Sequence, residues 1–388
     1  VRVRIVTYSA MPRGGAVHAR RLAEEVAARG HEVELWSLAL EGAGLTVGPG
    51  VATHQVPLSP VAGEAASARV ARAATALADA LRPAPPADVH HAQDLLSARA
   101  LLALRAEGAV PHVIRTVHHV DAFEDRFLEE CQRASIQDVD RCIAVSEFWA
   151  DRLADEFGVA AAVVPNGVDA DRFAGCLLSR AEAGARMGWG DRPVVLAVGG
   201  VQPRKGSRVL LEAFARARGR LAGHPLLVVA GGDGIFTDPG AVEAWGDDAV
   251  RLGLVVHHGP GAPGDADVVR IGIVGDDDMP ALYRAADVLA FPSTREGFGL
   301  VVVEAMAAGL PVVTSDIPVL AEFLRDDDDC LMTPVGDSGP LAQAIVRLIN
   351  DDALRRRLTA RAQATARRYP WAGTAARAEA VYREFDGA

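Results

Sequence analysis

The sequence predicts an α/β protein built as two doubly wound parallel halves facing a central cleft. Three observations predict it. Short β-branched runs, turns and Ala-rich amphipathic stretches alternate along most of the chain, the pattern that places helices on both faces of a parallel sheet. The alternation breaks once, at the turn signature Pro165-Asn166-Gly167, and restarts at Val194. The chain has 388 residues, which at roughly 150 residues per domain suits two domains.

Val3–Thr7 reads as the first strand, followed by Gly14 and Gly15 and a helix over 16–29 that Gly30 stops. Glu32–Ser37 is the next strand, and further strands are expected over 53–56, 88–91, 113–118, 142–145 and 162–164. Helices fill the gaps, notably over 66–81, 95–107 and 147–157. The stretch 169–191 lacks a strand pattern and reads as a connection. The second half repeats the alternation, with strands over 194–198, 226–230, 288–291, 312–314 and 331–333 and helices over 207–221, 280–286 and 300–308. Between them, 234–270 is rich in Gly, Asp and Pro and reads as a surface loop. In open α/β sheets ligands sit beyond the carboxyl ends of the strands. The cleft is therefore the expected active site.

Composition narrows the class. Half the residues are hydrophobic and 23% are charged, which excludes a disordered chain, a collagen-like repeat or a small disulfide scaffold. A net charge of -11 repels phosphate backbones, so nucleic acid is not an expected partner. Cys131, Cys142, Cys176 and Cys330 show no CxxC spacing and are expected reduced and buried. The first residues show no leader pattern, and the apolar run 299–313 is interrupted by Glu304 and too short to span a bilayer. A cytoplasmic protein is expected. The helix near 66–82 carries Arg69, Arg72 and Arg82 but few bulky apolar residues, so membrane association is not expected. All but one of the 40 basic residues are arginine, the exception being Lys205. Where arginine has replaced lysine throughout, the remaining lysine marks a place for a compact ammonium.

Three segments carry candidate chemistry. In Pro292-Ser-Thr-Arg-Glu296-Gly-Phe298-Gly299-Leu300-Val-Val-Val-Glu304, a strand ends, a Gly-containing loop follows and a helix begins. Free amides of Phe298, Gly299 and Leu300 at a helix start favour a phosphate through hydrogen bonds and the helix dipole. Glu304, one turn in, would accept from a vicinal diol, and Glu296 would contact a second polyol. As a bare surface charge Glu304 would sit oddly between Val303 and Ala305, because an unpaired carboxylate in an apolar run is costly. In Gly199-Gly200-Val-Gln-Pro203-Arg204-Lys205-Gly206, adjacent cations on a loop that opens a helix suit a diphosphate, Lys205 as a point charge and Arg204 as a fork. The order of residues is not that of a Walker A loop. The third segment is Ser9-Ala-Met-Pro-Arg13-Gly14-Gly15-Ala-Val-His18, whose glycines let a ligand approach the backbone. It lacks the dinucleotide GxGxxG spacing, so NAD is not expected.

Histidines occur as the adjacent pairs His90-His91, His118-His119 and His257-His258. Neighbours on a strand point to opposite faces, so such a pair is a poor chelate. The acidic runs 276–278 and 326–329 read as solvated loop charge, and no metal is assigned.

Together these segments resemble the retaining glycosyltransferases of GT-B fold, two Rossmann-like domains, in glycosyltransferase family four. The resemblance spans nearly the whole chain and is carried best by Glu296 and Glu304, two glutamates separated by seven residues. Gly14-Gly15, His118, Pro165-Asn166-Gly167-Val168-Asp169, Tyr283-Arg-Ala-Ala-Asp287 and Tyr369-Pro-Trp371 support it.

The resemblance implies an N-terminal acceptor domain over 1–168, a linker over 169–192 and a nucleotide-sugar donor domain over 193–370. A final helix over 371–386 would pack back on the first domain. Arg204 and Lys205 would neutralise the donor diphosphate, with Gly200, Gly232 and the amides near Phe298, Gly299 and Leu300 beside it. Glu304 would hold the ribose and Glu296 the sugar hydroxyls. His118 and the Gly14-Gly15 loop would line the reacting centre. The implied activity is metal-independent, retaining transfer of a sugar, such as from a UDP-sugar, to an acceptor hydroxyl, with no cofactor. Two features depart from the pattern. Gly200 stands where the family often carries an arginine, and 234–270 is longer than usual. The alternatives are an epimerase or phosphorylase of the same fold, or a sugar-nucleotide-binding regulator without catalysis.

Overall fold

A computed structural model describes residues 1–11, 14–39, 47–232 and 239–385. Arg13, the start of the 234–270 segment and residue 386 of the expected final helix therefore lie outside the described residues. The chain forms two compact units, Val1–Gly167 with Trp371–Ala388, and Val168–Pro370.

The strands of the first unit are β1 (Arg2–Thr7), β2 (Glu32–Ala39), β3 (Val51–Pro57), β4 (Val89–Ala92), β5 (Ile114–Val117), β6 (Arg141–Ala144) and β7 (Ala161–Val163). They form a parallel sheet in the order β3-β2-β1-β4-β5-β6-β7. Strand order reverses beside β1, the switch point of a doubly wound sheet. Val3, Ile5, Val33, Leu35, Ile114 and Ile143 supply its buried core, the near-continuous apolar strands that a sheet covered on both faces requires. The helix Leu95–Ala106 starts at a capping box, Asp94 and Ser97 bonding each other's backbone. The helix Glu147–Phe157 starts on the Ser146 hydroxyl and ends at Gly158 with φ +68°. The last helix, Trp371–Tyr382, adds Ala375, Ala378, Val381 and Tyr382 to the same core. Its Glu379 accepts from Arg29 at 2.7 Å. Gly167 admits it, because a Cβ there would lie 2.6 Å from the Trp371 backbone.

The second unit holds β8 (Val194–Val198), β9 (Leu226–Ala230), β10 (Val256–His258), β11 (Val268–Gly272), β12 (Val288–Phe291), β13 (Val312–Ser315) and β14 (Leu331–Thr333). Their order is β10-β11-β9-β8-β12-β13-β14, again parallel throughout. Two expectations change here. The described part of the 234–270 segment, 239–270, is not a surface loop: Pro239–Arg251 is a helix, and β10 and β11 extend the sheet. Trp245 of that helix is buried and donates to the Ser207 carbonyl at 3.2 Å. The segment 169–192 belongs to the second unit as two short helices, Ala170–Ala174 and Arg180–Met187. Buried Phe173 and Trp189 and the Arg180–Asp287 ion pair at 2.7 Å bind it there. Cys131, Cys142 and Cys330 are free and buried, whereas Cys176 is half-buried. Among the described residues no helix is long and apolar enough to cross a membrane.

Candidate functional site

In the second unit, the loops that leave the carboxyl ends of β8, β9 and β12 meet through their backbones. Gly199 and Gly200 both donate to the Ala230 carbonyl, at 2.8 and 2.9 Å. Gly200 has φ +71°, and a Cβ on it would lie 2.6 Å from the Gly232 carbonyl oxygen. An arginine at this position is thus excluded by the backbone, and Gly232 is the neighbour that excludes it. Beyond a 3₁₀ turn, Pro203–Lys205, comes Gly206, where a Cβ would sit 2.1 Å from the Pro292 carbonyl oxygen. Thr294 donates its amide to the Arg204 carbonyl at 2.8 Å. The β8 and β12 loops are stitched together.

That stitching brings three predicted residues into one cluster. Lys205 Nζ donates to Glu296 Oε1 at 2.7 Å, and Arg204 Nη1 approaches the same oxygen at 3.5 Å. The ammonium also lies 4.8 Å from the centroid of the Phe291 ring, a cation–π contact. Burial lowers the Lys205 pKa, with Glu296 opposing and Arg204 adding to the effect. Burial alone would raise the Glu296 carboxyl, yet Lys205 and Arg204 hold it below the ordinary range. The cluster sets two cationic side chains against one carboxylate.

The other predicted residues follow the β12 loop. Phe298 stacks on Phe323 at 5.1 Å and meets Tyr369 edge-on at 5.5 Å, which anchors the loop. Gly299 has φ +103°, and a Cβ there would lie 2.8 Å from a Leu320 methyl. It caps the helix Leu300–Ala307, so the first amides of that helix lack intrahelical partners. Glu304 is half-buried and accepts from the Tyr283 hydroxyl at 2.7 Å. Burial first, and then the Glu304 carboxylate, raise the Tyr283 pKa far above its usual value. Tyr283 is therefore a fixed donor that orients Glu304.

In the first unit, Gly14 opens the helix Gly14–Ala28, and a Cβ on Gly15 would sit 3.9 Å from the His118 ring. His118 follows β5, and its Nε2 is buried with no hydrogen-bond partner among the described residues. Burial first, then the nearby His18, hold its pKa well below the ordinary histidine value. Its imidazole is neutral. His18 packs edge-on against it with centroids 4.9 Å apart and against Trp371 at 5.8 Å. His18, which ends the third sequence segment but has no role assigned there, is thus a neighbour of His118. Its signal was present, because His18, Leu22 and Val26 repeat at helical spacing and all three are buried.

The acidic runs find partners within the protein. Asp276 pairs with Arg172 and Asp278 with Arg186. Among the described residues no three His, Cys, Asp or Glu side chains converge as a metal-holding group.

Two doubly wound parallel sheets, one of them with Arg204, Lys205 and Glu296 clustered beyond its strand ends, define an α/β class of two Rossmann-like domains. Residues 12–172 match the model described as Glycosyltransferase Family 4, and residues 192–351 the model described as Glycosyl transferases group 1. The chain is 31% identical to the D-inositol 3-phosphate glycosyltransferase of Saccharomonospora viridis over 96% of its own length and 89% of that protein's. It is 34% identical to the phosphatidyl-myo-inositol mannosyltransferase of Mycobacterium leprae over 62% of its length, a match spanning 58% of that relative. In fold it is similar to HepE of Anabaena, solved with UDP and glucose, with a TM-score of 0.77 over 99% of both chains and 19% identity. The chain belongs to the GT-B glycosyltransferases.

Proposed function

We propose that the protein transfers a sugar from a nucleotide-diphosphate sugar to an acceptor hydroxyl with retention of configuration and without a metal ion. The observation that carries this reading is the Lys205–Arg204–Glu296 cluster beyond β8 and β12. A half-buried ammonium and a guanidinium sharing one carboxylate leave positive charge unmatched where ligands of such sheets bind. In this reading the donor diphosphate takes over Arg204 and Lys205, releasing Glu296 to accept from sugar hydroxyls. The amides of Phe298, Gly299 and Leu300 supply neutral donors beside the phosphates. Glu304, oriented by Tyr283, accepts from the ribose diol.

Leaving-group chemistry then rests on charge stabilisation. The departing diphosphate gains negative charge as the glycosidic bond breaks, and preorganised cations favour that state over the ground state. His118 is assigned to the reacting sugar as a neutral hydrogen-bonding group. Its lowered pKa makes it a poor proton store but a good donor or acceptor. Gly200 removes one arginine from the donor side, and Arg204 supplies the guanidinium instead. A UDP-sugar is the proposed donor, in line with the UDP-bound structure that shares this fold.

The test is a thermal-shift screen against UDP, GDP, ADP and their common sugar conjugates, with and without EDTA. A nucleotide-specific rise in Tm that survives EDTA is the expected result. Lys205→Ala and Glu304→Ala should each remove about 1.5–3 kcal/mol of donor binding, the range for a hydrogen bond to a charged group. Wild-type affinity in both variants would refute the proposed clamp. Binding without turnover on any acceptor would favour the regulator instead.

A further inference from the structure

We infer that a cavity at the amino-terminal ends of β12 and β13 is a binding site for a phosphate monoester, separate from the Lys205–Arg204–Glu296 cluster. The cavity measures about 250 Å³ and is lined by Arg180, Arg284, Asp287, Arg355, Arg356 and Thr359, with the turn 308–311 as its floor. Asp287 and the turn precede β12 and β13, whereas the donor loops follow β8 and β12. The four residues of β12, at about 3.3 Å each, therefore separate the two places.

Charge in the cavity is unbalanced. Arg180 and Asp287 cancel, with Arg180 Nη2 on Asp287 Oδ2 at 2.7 Å and the same carboxylate accepting the Val194 amide at 2.7 Å. Arg355 is held by the Leu348 and Ile349 carbonyls and by Asp352. Two guanidiniums remain. Arg284 donates one Nη2 to the Cys176 carbonyl at a long 3.4 Å, and its Nε is buried with no partner. Arg356, on the helix Asp352–Ala366, is exposed and has no carboxylate partner among the described residues. A buried N–H of a charged group left without an acceptor is costly. An anion in the cavity would meet both guanidiniums, since Arg284 and Arg356 line it.

The class of ligand follows from charge and volume. The Thr359 hydroxyl already donates to the Arg355 carbonyl at 2.8 Å, so the two guanidiniums are the groups that match the several acceptor oxygens of a phosphate monoester. The volume lies just below the roughly 300 Å³ at which pockets for drug-sized ligands begin. It suits a small phosphorylated molecule. The inference does not depend on the transferase reading.

The experiment is calorimetric titration of the full chain with inorganic phosphate at fixed ionic strength. Because the donor cluster also attracts phosphate, the titration is run in wild type and in Lys205→Ala. Saturable binding retained in Lys205→Ala, and weakened at least about tenfold by Arg356→Glu with Tm unchanged, is expected. Arg284→Gln serves as the second variant and should weaken binding in the same direction. Phosphatidic acid vesicles present the same monoester on a lipid. Co-sedimentation lost in Arg356→Glu, with free phosphate silent, would support the site and name the lipid as the source. Binding abolished by Lys205→Ala but untouched by Arg356→Glu would overturn the inference, as would equal binding in every variant or no saturable binding from either source.

Discussion

At Lys205 a compact ammonium fits where a planar guanidinium would not. Its stem runs under Gly199, where even a Cβ would come within 2.9 Å of Cε, and its tip reaches both Glu296 and the Phe291 ring. Arginine is longer and would have to spread its fork into that crevice. Lys205→Arg should therefore weaken nucleotide binding about tenfold, or about 1.4 kcal/mol, measured by calorimetry with the preferred nucleotide. Equal affinity would make the lone lysine a compositional accident. Gly206 is stricter, since its φ of +66° and the Pro292 carbonyl at 2.1 Å from any Cβ leave no room. Gly206→Ala should separate the β8 and β12 loops and lower both Tm and nucleotide affinity, whereas Gly63→Ala, with nothing within 4 Å of its Cβ, meets only the strain of its φ. Single residues were legible where the chemistry was local. The Lys205 and Glu296 motifs stand ninety-one positions apart, and no spacing in the sequence announces that they share one hydrogen bond.

Elements were legible wherever propensity and neighbours agreed. The strands of the first sheet and the central strands of the second fold where the alternation put them. The helix and strands found over 239–270 in place of a loop have a physical source. Pro263, Gly264 and Asp265 flank the Val268–Gly272 run and mask it, and β10 becomes a strand only by pairing Val256 with Val268. Tertiary pairing decided what local propensity left open. Pairing also explains Arg4, which the sequence shows only as one polar step in an alternation. Parallel register sets it opposite Glu34 on β2, with Nε–Oε2 at 2.8 Å, and Trp36 donates to the same oxygen at 3.0 Å. Both members of the pair are buried. Arg4→Ala would strand the Glu34 carboxylate, a loss of about 3–5 kcal/mol readable in the urea midpoint. Replacing both members by Arg4→Met and Glu34→Leu should recover most of it. A double variant no better than the single one would mean that the pair contributes more than its own desolvation costs.

Across the whole molecule, acid sensitivity is concentrated in the first unit. Burial lowers His18 to about 4, with Asn166 opposing, and His90 to about 4, with Arg4 adding to the effect. Burial also takes His91 to about 3, where its ring nitrogens meet Tyr382 and Thr116 at 2.8 and 2.7 Å, and holds His118 well down. All four are neutral when folded, while the unfolded chain protonates them near 6.5. The unfolded state thus binds more protons between about pH 6.5 and 4, so stability is complete above that window and falls as the pH drops through it. Even one such histidine, taken from pH 7 to 5, accounts for a loss on the order of 2 kcal/mol. Three of them face one another, since His18 is felt by both His91 and His118, and protonating one opposes the next. Hydrogen exchange resolved by peptide, at pH 7 and 5 and corrected for intrinsic rate, should show protection falling first in the helix Gly14–Ala28 and in β4 and β5, ahead of the second unit. His18→Gln should flatten that dependence by removing one proton site from the group. Uniform loss of protection in both units would place the acid-sensitive groups elsewhere and take from His118 the neutral state on which its assigned part in sugar transfer depends.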